Sequence, residues 1–105
     1  MIEITEESRQ GWHVVALRGR ADALACDQLQ ARLCTALEGN KQVAVDLSAV
    51  DYISSCGLRA MLHAAREAQG RKVRFAICSP SAPVKKVFDI SRMHEILEIH
   101  GELPC

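Results

Sequence analysis

The chain has 105 residues, 49% hydrophobic and 25% charged, with Lys plus Arg equal to Asp plus Glu at 13 each. That is the size of one domain, spanning 1–105, with one hydrophobic core and an ordinary globular composition. Balanced charge, with no like-charge block beyond a pair or triplet, excludes an electrostatic surface for nucleic acid or anionic membranes, so proteins or small anions are the expected partners.

The longest apolar runs fall well short of a membrane span, and the opening Met-Ile-Glu-Ile-Thr-Glu-Glu is acidic where a signal peptide is basic. A cytoplasmic protein without membrane insertion is expected. The five cysteines (Cys26, Cys34, Cys56, Cys78, Cys105) are odd in number and lack CxxC spacing, and the four histidines (His13, His63, His94, His100) are scattered. Neither a disulfide framework nor a zinc site is expected, and no metal or cofactor is assigned.

Ile2 and Ile4 alternate with acidic partners, and after the Gln10-Gly11 break residues 12–17 read Trp-His-Val-Val-Ala-Leu, which predicts a hairpin. Asp22 stands just before a run in which Cys26, Leu29, Leu33, Ala36 and Leu37 share one helical face, so it can cap an amphipathic helix that ends at Gly39-Asn40. Val43–Leu47 is β-rich without clean alternation, as in a central strand covered on both faces. A loop then leads to a helix from about Ser55 to Gln69. It is expected to bury Leu58, Met61, Leu62 and Ala65, to show Arg59, His63 and Arg66, and to stop at Gly70.

Lys72–Cys78 reads as another strand, with Val73, Phe75 and Ile77 pointing one way. Pro83 suits the first turn of a third helix, with Val84, Val87 and Phe88 inward and Lys85 and Lys86 outward. Ile96, Leu97 and Ile99 form a last apolar segment of undecided type. Strand and helix alternate after the hairpin, which gives an α/β or α+β class with a mixed sheet.

The chemistry gathers at the start of the second helix. Its N-terminus exposes unpaired amides and positive dipole, yet Cys56–Met61 contains no acid, Arg59 adds positive charge, and Leu58 stands where a capping box needs Glu or Gln. Two readings fit: Ser54 or Ser55 simply caps the helix, or the helix end accepts an anion that Ser55 carries as phosphate. Gly57 permits close backbone approach. Cys56, in a first turn that favours thiolate, is a conceivable nucleophile, but no histidine with an orienting acid accompanies it; a small residue packed under the loop is the simpler role. Asp46 and Asp51 bracket the loop and suit hydrogen bonds to turn backbone better than acid–base work. Asp22 is either a cap or a charged neighbour of Ser55. Nucleotide-loop and hydrolase-elbow motifs are missing.

The string Val-Asp-Leu-Ser-Ala-Val-Asp-Tyr-Ile-Ser-Ser-Cys-Gly-Leu-Arg-Ala-Met-Leu resembles the signature of STAS domains, in particular the anti-sigma factor antagonists. Gly19-Arg20-Ala21-Asp22, Gly70 before Val73, and Pro83-Val84-Lys85-Lys86-Val87-Phe88 fall in the same family order. The resemblance implies a non-enzymatic single STAS-type domain: a mixed four- to five-stranded sheet with helices mainly on one face. It implies that the unmodified domain binds an anti-sigma factor serine kinase of histidine-kinase-like ATPase fold. That kinase phosphorylates the residue at Ser55 and releases the domain, and a serine phosphatase resets it.

The resemblance assigns a partner surface to Asp22, Tyr52, Ser54, Ser55, Cys56, Gly57, Arg59, His63 and Arg66. Ser54 replaces the family's Asp and becomes a rival acceptor, and Cys56 replaces its following serine. These two departures keep open a constitutive interaction module, such as an accessory subunit of a lipid transporter or signalling complex. Many members also continue into a C-terminal helix where this sequence reads Gly101–Cys105, an ending expected to uncover part of the sheet.

Overall fold

The computed structural model describes residues 2–102, so the expectation for the last residues, Cys105 included, lies outside the described residues. The elements run β1 (Ile2–Arg9), β2 (Trp12–Ala21), a 3-10 turn (Ala23–Ala25), α1 (Cys26–Leu37), β3 (Gln42–Ile53) and α2 (Ser55–Arg71). They continue as β4 (Arg74–Cys78), α3 (Ala82–Ser91), a second 3-10 turn (Met93–Glu95) and β5 (Glu98–His100). The sheet has the order β1-β2-β3-β4-β5; β1 is antiparallel to β2, and every later pair is parallel. This is the expected α/β class with a mixed sheet. Each parallel pair needs a helical crossover, and α1, α2 and α3 supply them.

The inward faces of the strands and the apolar stripes of all three helices form one core that includes Val15, Leu17, Leu29, Leu33, Val45, Leu47, Met61, Ile77 and Phe88. A smaller cluster of Trp12, Val14, Ala44, Ala76 and Cys78 lies apart from it. Arg74 stacks 5.0 Å from the Trp12 ring centroid and pairs with Glu98. The amphipathic stripe read for α1 is buried as expected: Cys26, Leu29, Leu33, Ala36 and Leu37. Two acidic hubs tie edges together. Glu6 meets His13 and Arg32, and Glu98 meets Arg74 and His100.

Three expectations need correction. The segment after Leu47 is not a loop but the second half of β3, where the β2–β3 register shifts between Ala16 and Arg18 and again between Gly19 and Arg20. Each shift gives β3 one extra residue, and such bulges break the period-2 pattern by which strands are recognised. Asp46 accepts the Ser48 N–H at 2.9 Å within the first irregularity, the backbone role foreseen for it.

The buried stripe of α2 is Gly57, Ala60, Met61, Ala64 and Ala68, whereas Leu58, Leu62 and Ala65 are half-buried at its margins. Small residues let the helix axis come close, so the core line runs through alanines and the leucines flank it. The helix also passes Gly70 to Arg71 and is capped by Lys72, whose left-handed backbone (φ 58°) returns its N–H to Ala68 O and Gln69 O. The undecided apolar segment resolves into a 3-10 turn that buries Met93, followed by β5.

Candidate functional site

The site forms where the C-terminal ends of β2 and β3 lie side by side. Arg20 pairs in register with Tyr52 and Ala21 with Ile53, and the Ser54 N–H donates to Ala21 O at 2.9 Å. That contact sets Asp22, the residue after Ala21, beside the start of α2. Asp22 caps the 3-10 turn, accepting the Leu24 and Ala25 N–H groups at 3.2 Å each. Its cap role is therefore on the preceding turn, one step earlier than α1 itself.

Of the two candidate caps for α2, Ser54 is the one used. Its backbone is extended (φ −83°, ψ 168°), its Oγ accepts the Gly57 N–H at 3.1 Å, and its carbonyl accepts the Leu58 N–H at 3.0 Å. Ser54 thus performs the capping task that one of the two sequence readings gave it. Ser55, at the first helical position, is exposed, and among the described residues nothing bonds its hydroxyl. The first turn holds no acidic residue. A phosphate on Ser55 would sit against the open amide end of α2, worth about 0.3–1 kcal/mol of local stabilisation at an exposed helix end.

Gly57 is buried for a steric reason. A Cβ there would lie 2.9 Å from Ile53 Cγ1 and 3.1 Å from Ala21 O, the oxygen that holds Ser54 in place. Glycine therefore permits the close contact between helix start and strand end from which the site is built.

Along α2, Ser55, Arg59, His63 and Arg66 recur at helical spacing, and all are exposed. They form one stripe leading away from the helix start. Tyr52 is 41% exposed, and Arg20 stacks 4.4 Å from its ring centroid. The sequence pointed to Tyr52 but not to Arg20, because the pairing is created by strand register. Leu24 is a second residue to which the sequence reading assigns no role. It is 94% exposed on the turn that Asp22 caps, beside a hollow of about 270 Å³ lined by Ile2, Asp22, Leu24, Ala25 and Gln28. A signal existed: Leu24 is an apolar residue out of phase with the Cys26–Leu37 stripe.

One element contradicts the expectation of unpaired cysteines. Cys26, at the first residue of α1, is joined to Cys56, in the first turn of α2, across a Cα–Cα distance of 6.0 Å and 30 residues of sequence. Cysteine spacing carried no hint of it, because parallel neighbouring strands bring the starts of their following helices together. Cys56 is therefore not merely a packing residue. In this bonded form it offers no thiol for nucleophilic chemistry, and Cys34 and Cys78 are the free cysteines among the described residues.

A family model described as Mlab, STAS domain, matches residues 4–98. A Bordetella bronchiseptica protein named as a candidate anti-sigma factor antagonist, BtrV, is 29% identical over 99 residues, covering 93% of this chain and 85% of its own. Among solved structures, an anti-sigma factor antagonist from Mycobacterium paratuberculosis superposes with a TM-score of 0.87 at 19% identity, over 98% of this chain and 88% of its own. The anti-sigma factor antagonist SpoIIAA in its unphosphorylated form gives 0.76 at 23% identity, over 92% and 87%. Its phosphorylated form, from Bacillus, gives 0.70 at 22%, over 92% and 90%. At these identities the structural likeness speaks for the fold.

Proposed function

The chain belongs to the STAS domain family, and we propose that within it this protein is an anti-sigma factor antagonist switched by phosphorylation of Ser55. The unmodified domain binds an anti-sigma factor serine kinase with a histidine-kinase-like ATPase fold; phosphorylation releases it, and a serine phosphatase restores it. The domain itself performs no catalysis, and its place of action on this reading is the cytoplasm.

One observation carries the choice of residue. Ser54 is half-buried and spends its hydroxyl on the cap, whereas Ser55 next to it is exposed and unbonded at the acid-free end of α2. Ser54 is the rival acceptor in sequence, but modifying it would cost α2 its cap. The candidate antagonist BtrV supports the partner class, and SpoIIAA, solved with and without phosphate, supports a phosphorylated state of this fold.

The switch follows from charge. A phosphoserine brings about −1.5 to −2 charges, which the helix end and Arg59 tolerate in the free domain but which a packed interface must desolvate. A difference of about 1–3 kcal/mol between free and bound domains changes affinity roughly 5- to 150-fold. On this reading the surface involved comprises Asp22, Tyr52, Ser54, Ser55, Cys56, Arg59, His63 and Arg66, together with the exposed Arg20 and Leu24, while the buried Gly57 supports it from beneath and is not itself a contact residue.

Pull-down from the source organism followed by calorimetry on the recovered ATPase-type protein tests this reading. Ser55→Ala should bind as the wild type does, and Ser55→Asp should bind about 5- to 150-fold more weakly. Equal affinity of Ser55→Asp and wild type rejects the charge switch and leaves the constitutive interaction module.

A further inference from the structure

Cys26 and Cys56 are placed to do more than staple two helices. We propose that they form a reversible dithiol–disulfide pair that locks the first turn of α2 when oxidised and frees it when reduced. The regulatory consequence rests on the reading of Ser55 as acceptor. The pair itself rests on geometry alone.

Three observations carry it. The two cysteines lie within bonding range, with a Cα–Cα separation of 6.0 Å that suits a disulfide. They differ in access: Cys56 is half-exposed, whereas Cys26 is 6% exposed, so a small oxidant meets Cys56 first and Cys26 serves as the resolving partner. The reduced form is also provided for, because Cys26 Sγ lies 3.6 Å from Asp22 O, an acceptor for the thiol hydrogen. The buried member of the pair, Cys26, therefore has a partner in both states.

Hydrogen peroxide is the oxidant class that fits. Cys56 sulfur attacks one peroxide oxygen and the O–O bond breaks, leaving a sulfenic acid; the departing hydroxide takes the thiol proton and becomes water. Cys26 sulfur then attacks the Cys56 sulfur, the S–S bond forms and the S–O bond breaks. That second hydroxide takes the Cys26 proton, so two thiols and one peroxide give one disulfide and two waters. A dithiol returns two electrons by thiol–disulfide exchange, and each sulfur regains a proton.

The lock acts on Ser55 through its neighbour. Ser55 is already exposed, and opening the first turn, which breaks the bonds from Gly57 N–H to Ser54 Oγ and from Leu58 N–H to Ser54 O, adds the backbone freedom to align its hydroxyl with a transferring phosphoryl group. Oxidised, Cys56 cannot leave without drawing the first turn of α1 with it. Reduced, the turn opens alone.

The test uses the full chain with hydrogen peroxide and with dithiothreitol. Peptide mapping should find a Cys26–Cys56 linked peptide after peroxide that dithiothreitol removes. Amide hydrogen exchange at Gly57 and Leu58 should be about tenfold slower in the oxidised protein, since local opening sets that rate. Cys26→Ser, which keeps a donor for Asp22 O, should show neither response. Absence of the linked peptide overturns the pair, and equal exchange in both states overturns the lock. A partner kinase that leaves Ser55 unmodified in both redox states overturns the acceptor reading instead, while the linked peptide and the exchange difference still decide the pair.

Discussion

Ser54 and Ser55 are adjacent, yet only Ser54 Oγ serves the helix, accepting the Gly57 N–H at 3.1 Å, while Ser55 stands exposed one residue on. The division of labour follows from backbone conformation. Ser54 is still extended, so its side chain folds back over the helix end, and Ser55 has already entered the helix and turns outward. Ser54→Ala should therefore destabilise the fold by about 1 kcal/mol, whereas Ser54→Asp, which keeps a cap oxygen, should stay within a few tenths. Urea titration followed by Trp12, the single tryptophan and a buried one, reads the difference.

Gly57→Ala should be worse than the loss of the cap. The new Cβ meets Ile53 Cγ1 at 2.9 Å and the backbone oxygen of Ala21 at 3.1 Å, and that oxygen is fixed by the Ser54 N–H. Overpacking of this kind costs about 1–3 kcal/mol, visible as a lower urea midpoint. A midpoint equal to that of the wild type would show that β2 and α2 separate easily here.

How much of this was legible in the sequence depends on whether the cause was local. The hairpin, the α1 stripe, Pro83 at the start of α3 and the exposed Arg59, His63 and Arg66 all rest on spacing, and spacing survives into the structure. The site region of β3 did not read as a strand because two bulges interrupt its alternation. The inward face of α2 lies one residue N-terminal to the one its leucines suggest, with Met61 common to both, since alanines carry too little hydrophobic signal to outweigh Leu58 and Leu62. Arg20 on Tyr52 and Cys26 on Cys56 were invisible for a different reason. Both pairs are made by the register of parallel strands, which no single segment encodes.

Acid should weaken the fold through its two carboxylate hubs. Hydrogen bonds from His13 first, then Arg32, hold the Glu6 carboxyl below its usual 4.5. Arg74, followed by His100, does the same for Glu98. A carboxylate with a lowered folded value contributes stability that is fully present above its unfolded value. That contribution is lost as pH falls through the lowered one. Thermal midpoints should fall as pH drops below about 4.5, and Glu6→Gln should reduce that fall while lowering the midpoint at neutral pH. An acid loss in Glu6→Gln as large as in the wild type would remove Glu6 from the account.

The two free thiols should differ in reactivity. Cys78 is buried, and burial first, then the Asp46 carboxylate, pushes its thiol up to about 11. Cys34 is also raised, chiefly by burial, but is only half-buried. Iodoacetamide at mildly alkaline pH should label Cys34 in the folded protein and Cys78 only after unfolding. Equal labelling of both in the folded state would mean that the cluster around Trp12 opens readily.

The central claim is that Ser55 carries the switch, and phosphate mapping tests it most directly. The protein is incubated with ATP and the partner kinase recovered from its source, then digested and sequenced by mass spectrometry. The account predicts phosphate on Ser55, none on Ser54, and loss of the modified species in Ser55→Ala. A protein that binds the kinase but remains unmodified at Ser55, or that carries its phosphate on Ser54, would contradict it.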